Sequence, residues 1–247
     1  MKEIFDQVIE TIENEDIKQF MVEKCMPIIN PYFWEVPASS SHKYHPSYAI
    51  TEPLGLAKHT VALVRILNHM FAVESVGSQF TSRERDLLRV AGLMHDTFKS
   101  GTQEDYEKNK YTKFDHPMIA AKAVWNLDGL PEDEKKLLCN AIAAHMGQFN
   151  TSSRAPGITL PTPQNKYQII LHLADYLASR KDIEILFDNN NVPAAQETPP
   201  DINTWVLPFG KFKGLTLPEV NKQAPWYIKW AKENANTEPL KSLVQQI

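Results

Sequence analysis

Six side chains suited to metal chemistry recur along the chain at matching places: His59, the adjacent pair His95–Asp96, His116, His145 and Asp175. Each lies inside or at the end of an apolar, helical-looking stretch. Imidazole and carboxylate together suit Fe, Mn, Co, Ni or Zn, and six such groups exceed what a single tetrahedral zinc needs. Two divalent ions about 3.5–4 Å apart, bridged by a carboxylate and a water, account for the set better. Such a pair binds a phosphate, makes a hydroxide nucleophile and steadies the leaving oxygen. Asp96 beside His95 gives two ligands from one helix end, so Asp96 is the natural bridging carboxylate. Taken singly, each group has a plainer reading. His59 reads as a satisfied core histidine, His116 and His145 as helix-end caps, and Asp175 as a partner of His172 on the same helix. Together those readings leave six titratable groups buried without a common reason, at several kcal/mol each.

The elements that must position these groups are helical. Ile4, Phe5, Val8, Ile9 and Ile12 fall at helical spacing, so residues 2–26 read as one or two amphipathic helices. Pro27, Pro31 and Pro37 break that pattern and open a long aromatic loop over 27–53, which carries His42 and His45. A helix is expected from about Leu54 to Glu74, with Leu56, Leu63, Ile66, Leu67 and Met70 on one stripe and His59 inside it. His69 lies off that stripe and is expected to face solvent or a loop; His42, His45 and His69 are weaker candidates. A second helix, around Arg83–His95, ends in the string AGLMHDTFKSG. The string FDHPMIAAKAVW opens a third, and a fourth runs from about Glu132 to His145. After the Pro-rich loop RAPGITLPTPQN, a long helix is expected from Lys166 to about Phe187.

Composition narrows the class. The 247 residues suit one good core plus a small appendage. Gly is scarce (9) and Pro plentiful (17), which favours helices with stiff loops over a Gly-rich sheet protein. Cys25 and Cys139 are far apart in apolar stretches, so they read as reduced core residues and not as a zinc site. The start MKEIFDQVIE has no apolar h-region and no apolar run reaches about 18 residues, so a cytoplasmic protein without a membrane span is expected. The net charge of −4 rules out a broadly basic surface. It splits unevenly, because residues 204–247 hold six lysines against three glutamates. The intervening stretch 188–203, DNNNVPAAQETPPDIN, reads as a linker.

The ordered set His59…His95–Asp96…His116…His145…Asp175 resembles the HD-domain superfamily of metal-dependent phosphohydrolases in its six-ligand, two-metal form. The string HDTFKSG stands where that family usually reads HDIGK; Lys99 is kept, and Thr97–Phe98 replaces Ile-Gly. The resemblance covers about residues 45–187. It implies an all-α bundle of five or more helices with two divalent transition metals (Mn, Fe, Ni, Co or Zn) at its centre. The layout EPLGLAKHT, AGLMHDTFKSG, FDHPMIAA, AAHMGQFN and ILHLADYLASR is most similar to the HD-type 3′→5′ exoribonucleases, followed by the symmetrical dinucleoside-tetraphosphate hydrolases. The chain departs from the exonucleases in lacking an OB-type domain in residues 1–40 and in having Ala144–His145 where they tend to show two histidines. Inositol-oxygenase-like di-iron enzymes share the same ligand order.

The segment WVLPFGKFKGLTLPEVNKQAPWYIKWAKEN resembles a short module appended to some bacterial and phage exonucleases. Residues 209–214 suit a turn-linked hairpin with Lys211 and Lys213 on one face, giving a small α+β appendage. Trp226, Tyr227 and Trp230 either cover that hairpin as the core of a very small unit or stand exposed, where rings and ammonium groups suit single-stranded nucleic acid. The expected organisation is a helical extension (1–40), an HD domain (41–187), the linker and the appendage (204–247). The expected function is a phosphomonoesterase or phosphodiesterase acting on a nucleotide or a nucleic-acid end through a metal-bridging hydroxide. Asp96 and Lys99 are the catalytic residues, and Lys99, Arg154 and Arg180 the phosphate contacts. The alternatives are a mixed-valence di-iron oxygenase and a non-catalytic nucleotide or nucleic-acid binding module.

Overall fold

The amino-terminal segment forms a broken succession of short helices, and the break has a chemical cause. Helix α1 (Asp6–Ile9) ends, and α2 (Glu15–Gln19) begins after a gap. In that gap the Glu13 and Asn14 amides donate to Asp86 Oδ2 at 3.0 and 2.7 Å, and Asn14 Nδ2 adds a third bond at 2.6 Å. Asp86 has no exposure to solvent, so these donors replace its water. Helix α2 continues as a π-helical turn, Phe20–Cys25, and a 3₁₀ turn, Met26–Ile28.

The structure, a computed structural model, describes residues 2–39, 45–183, 185, 202–203, 205–207, 210–235 and 240–247. It forms two compact units, Met1–Ile185 and Leu186–Ile247. His42 and most of the expected linker lie outside the described residues.

In the first unit, α3 (Gly55–Ala72) is buried on nearly all sides, not along one stripe. The reason is that the amino-terminal segment covers its other face. Arg65 Nη2 donates to Gln7 Oε1 at 2.8 Å, and Asn68 Nδ2 to Thr11 Oγ1 at 3.1 Å. His69 is exposed, as its angular position requires. A short turn, α4 (Glu74–Gly77), leads to α5 (Ser82–Met94). Thr81 and Glu84 close a capping box at the α5 amino terminus, and Met94 is followed directly by His95 and Asp96. Helix α3 packs on α5 and on α9 (Lys166–Ala178). At the α3–α5 crossing, a Cβ on Gly92 would come within 2.7 Å of Leu63 Cδ2, so any larger residue there requires Leu63 to shift.

Helices α6 (Gln103–Lys108), α7 (His116–Trp125) and α8 (Glu132–Ala143) complete the bundle, with α7 on α8 and α8 on both α5 and α9. Helix α9 stops at Ala178 and does not reach Phe187. Ser179 Oγ contacts the Asp175 and Tyr176 carbonyls, each at 3.0 Å, and Arg180 Nε donates to the Tyr176 carbonyl at 3.2 Å. These side chains satisfy the last carbonyls, and the charged run Arg180–Lys181–Asp182 follows. Cys25 and Cys139 are free and buried.

The second unit is helical: α10 (Leu217–Gln223), α11 (Pro225–Asn234) and α12 (Leu240–Val244). Among the described residues, the hairpin expected around 209–214 reduces to one antiparallel bridge, Val206↔Thr216. There Leu207 and Leu215 are joined by a 2.9 Å backbone bond, and turn residues lie between them. Among the described residues, no helix is long and apolar enough to cross a membrane.

Candidate metal centre

Each of the six side chains is delivered by a helix or its end, and all six meet in the first unit. His59 comes from inside α3, His95 and Asp96 follow α5, His116 opens α7, His145 follows α8, and Asp175 lies near the end of α9. The five besides Asp175 are almost fully buried, and the Asp175 side chain is 18% exposed.

Asp96 divides the set. Its Oδ1 lies 2.9 Å from His116 Nε2 and 3.6 Å from His145 Nε2. Its Oδ2 lies 3.3 Å from His95 Nε2 and 3.9 Å from His59 Nε2. Asp175 Oδ1 joins the second group, 3.0 Å from His59 Nε2 and 3.7 Å from His95 Nε2. Within two triads, His59–His95–Asp175 and His95–Asp96–His145, the ligand atoms all lie within 4.8 Å of one another.

Backbone geometry sets the ring tautomers. His95 Nδ1 is 2.7 Å from the Gly92 carbonyl, His116 Nδ1 2.6 Å from the Lys113 carbonyl, and His145 Nδ1 2.8 Å from the Ile142 carbonyl. Each contact reaches back three residues at a helix end. A carbonyl only accepts, so Nδ1 carries the proton and a neutral ring keeps its lone pair on Nε2. The Nε2 atoms of His59, His95 and His116 and the Oδ1 atom of Asp96 are buried and make no hydrogen bond of proper geometry. Lone pairs of imidazole and carboxylate therefore face each other across about 3 to 4 Å, an arrangement that calls for a cation between them. Nitrogen and carboxylate oxygen in this number fit divalent transition metals.

The two carboxylates are held ionised. Burial alone would raise the Asp96 carboxyl, but Lys99 and the His95 and His116 rings outweigh it and hold it well below the usual carboxylate range. Asp175 is lowered in the same way, against its burial, by His59 and His95. Burial opposes a charge on His95, yet the Asp96 and Asp175 carboxylates raise its pKa. Burial, reinforced by His95, pushes His145 down to about 3.

Beside this cluster is a cavity of about 460 Å³, with Asp96, His145 and Asp175 in its wall. Lys99 lines it too and pairs with Asp96 Oδ2. The loop after Asp96 is buttressed from the amino-terminal segment, because Tyr32 Oη accepts from the Ser100 amide at 3.0 Å and donates to the Gly101 carbonyl at 2.8 Å. Thr97 and Phe98 are buried. Thr97 Oγ1 donates to the Met94 carbonyl at 2.8 Å, which explains why a polar residue stands there. Arg180 also lines the cavity, its guanidinium 4.2 Å from the Tyr176 ring centre. Arg154 is exposed and is not among the lining residues. Lys99 also borders a second cavity of about 230 Å³ with Tyr106, Lys110 and Tyr111.

Residues 54–180 match the family model described as the HD domain, a span that holds all six residues. The chain belongs to the HD-domain family. Residues 207–236, in the second unit, match the model described as the Exodeoxyribonuclease X-like C-terminal region. No curated protein and no solved structure matches the chain.

Among the neighbours of the HD cluster, His45 is the weaker sequence candidate that the structure brings to the site, whereas His172, Met146 and Phe149 are not singled out by the sequence as site residues. His45 lines the cavity, its ring 4.9 Å from that of His59, and burial and His59 push its pKa down to about 3. His172 does not pair with Asp175; its Nδ1 donates to the His145 carbonyl at 2.8 Å. Gly147 has φ +56°, and a Cβ there would lie 2.1 Å from the His172 ring. Met146 and Phe149 complete an apolar side of the cavity. Their signal in the sequence was their place directly after His145.

Proposed function

We propose that the chain is a metal-dependent phosphohydrolase that cleaves a phosphate ester of a nucleotide or of a nucleic-acid end. In this reading His59, His95, Asp96, His116, His145 and Asp175 are the metal ligands. One observation carries it: buried imidazole and carboxylate lone pairs face each other, with Asp96 offering one oxygen to each group. That division suits two ions. When bound, divalent ions supply Lewis acidity toward a phosphate and a water that ionises near neutral pH.

The remaining chemistry belongs to the chain. Lys99 stands at the cavity wall with its ammonium against Asp96, where it meets a non-bridging phosphate oxygen. Arg180, steadied on Tyr176, supplies a second cation lining the same cavity. Met146 and Phe149 exclude water from one side and offer an apolar surface to a base. Lys211 and Lys213, both exposed in the second unit, are secondary nucleic-acid contacts.

Metal analysis of the purified protein should find about two transition-metal ions per chain. A phosphate-release screen would pair mononucleotides, dinucleoside polyphosphates, cyclic nucleotides and short RNA or DNA with Mn²⁺, Fe²⁺, Ni²⁺ and Co²⁺. Release from at least one pairing, abolished by Asp96→Ala, is the expected result. Iron-specific oxygen uptake with no phosphate release would replace the reading by an oxygenase.

A further inference from the structure

The second unit builds its core from Leu207, Leu217, Val220, Ile228, Leu240 and Leu243. Its tryptophans on α11 are left outside: Trp226 is 62% and Trp230 51% exposed. They stand one helical turn apart, and their rings belong to a connected aromatic surface. Phe212 lies 6.3 Å from Trp226 and 5.1 Å from Tyr227, and Tyr227 lies 5.7 Å from Trp230.

Positive charge borders this surface. The Lys211 ammonium is 5.7 Å from the centre of the Phe212 ring. Lys213 is exposed, and so is Lys229, three residues after Trp226 and its neighbour on the next helical turn. Glu233 is the only carboxylate on α11 and lies toward its carboxyl end. An indole exposed to this degree forfeits burial that a small unit needs. Rings flanked by ammonium groups match a ligand with flat faces and a regular array of anions.

We propose that this face binds single-stranded nucleic acid. Unpaired bases stack on Trp226 and Trp230, and Lys211, Lys213 and Lys229 meet the phosphates. A duplex is a poor ligand here, because its bases already stack on one another. This rests on the proposed nucleotide or nucleic-acid-end substrate and narrows it to a single-stranded polymer. It does not depend on hydrolysis, since binding is read with metal removed.

The test uses the full chain in EDTA with fluorescein-labelled oligo(dT) and oligo(U), read by anisotropy and by quenching of tryptophan fluorescence. Binding should be salt-sensitive, and Trp226→Ala and Trp230→Ala should each weaken it about tenfold. Phe at either position should restore most of the loss, which separates stacking from mere bulk. A labelled duplex should bind at least about tenfold more weakly than the single strand. Both side chains are exposed, so the thermal midpoint should stay unchanged in each variant. Equal binding by the Trp226→Ala/Trp230→Ala double variant, or no binding by the natural chain, would overturn the proposal. A natural chain that sediments as a dimer and binds no oligonucleotide, with a monomeric double variant, would assign the face to a second copy.

Discussion

His172 holds the His145 carbonyl from across the bundle, Nδ1 to O, at 2.8 Å. The bond crosses from α9 to the turn after α8 and fixes the backbone that carries a proposed metal ligand. Partners that hydrogen-bond a ligating side chain typically change metal affinity by about 10–100-fold when lost, and this bond to the ligand's backbone acts in the same direction with a smaller effect. His172→Ala should therefore release metal more readily in a chelator competition, although His172 is not itself a ligand. Gln at this position keeps an N–H donor and should recover part of the loss. Chelator curves that coincide for the Ala variant and the natural chain would remove this role.

Asp96 presents its two oxygens to different histidines, His116 on one side and His95 on the other. Asp96→Asn keeps the shape but leaves a neutral oxygen on one side and an N–H donor on the other. Both groups of ligands lose charge at once. Bound metal, measured by elemental analysis after gel filtration, should fall from about two ions per chain to fewer than one, with activity lost in step. A variant that retained both ions would show that Asp96 is not shared.

Lys99 separates binding of metal from handling of phosphate. Its ammonium pairs with Asp96, and the side chain also reaches two cavities. Lys99→Met should keep the metal and lower kcat by about 10²-fold, because a preorganised positive charge at the phosphate is lost. Lys99→Arg should recover part of the rate. Unchanged turnover in the Met variant would remove Lys99 from the reaction.

The six-residue cluster was legible because each member sits at an end or on a buried face of a strongly periodic helix, where spacing constrains position. The environment was less legible. His172 and Asp175 share a helix at a spacing that suggests a pair, yet the His172 partner is a backbone carbonyl 27 residues away. Spacing within one helix carries no information about that carbonyl. The all-round burial of α3 depended on which distant segment would cover its second face. In the same way Trp226 and Trp230 have the spacing of a core stripe. Only the folded unit shows that Leu207, Leu240 and Leu243 fill the core instead. Helix α9 looked longer because IEILF is apolar, whereas side-chain capping at Ser179 and Arg180 ends it.

Asp86 joins the amino-terminal segment to α5. It accepts from the Glu13 and Asn14 amides and from Asn14 Nδ2, and it pairs with the guanidinium of Arg89. Removing one member of a buried ion pair costs about 3–5 kcal/mol, since the partner charge stays behind. Asp86→Ala should lower unfolding stability by that amount in urea titrations and shift the thermal midpoint down by roughly 10 °C. A loss below about 1 kcal/mol would mean that water replaces the carboxylate.

The Cys139 thiol gives a pH-dependent test of the packing of α8 against its neighbours. Burial pushes its pKa up to about 11, and the residue is 7% exposed. A raised thiol pKa favours the protonated, unreactive form. At pH 8 roughly one thiol in a thousand is then ionised, against about a quarter for an unperturbed cysteine with pKa near 8.5. Cys25 is buried more deeply, and burial raises its thiol further. Reaction of the folded chain with a disulfide reagent at pH 8 should be at least about 100-fold slower than in denaturant, and its rate should climb about tenfold per pH unit toward pH 10. Rapid labelling of Cys139 at neutral pH would show that α8 opens on the timescale of the assay, and with it the turn that carries His145.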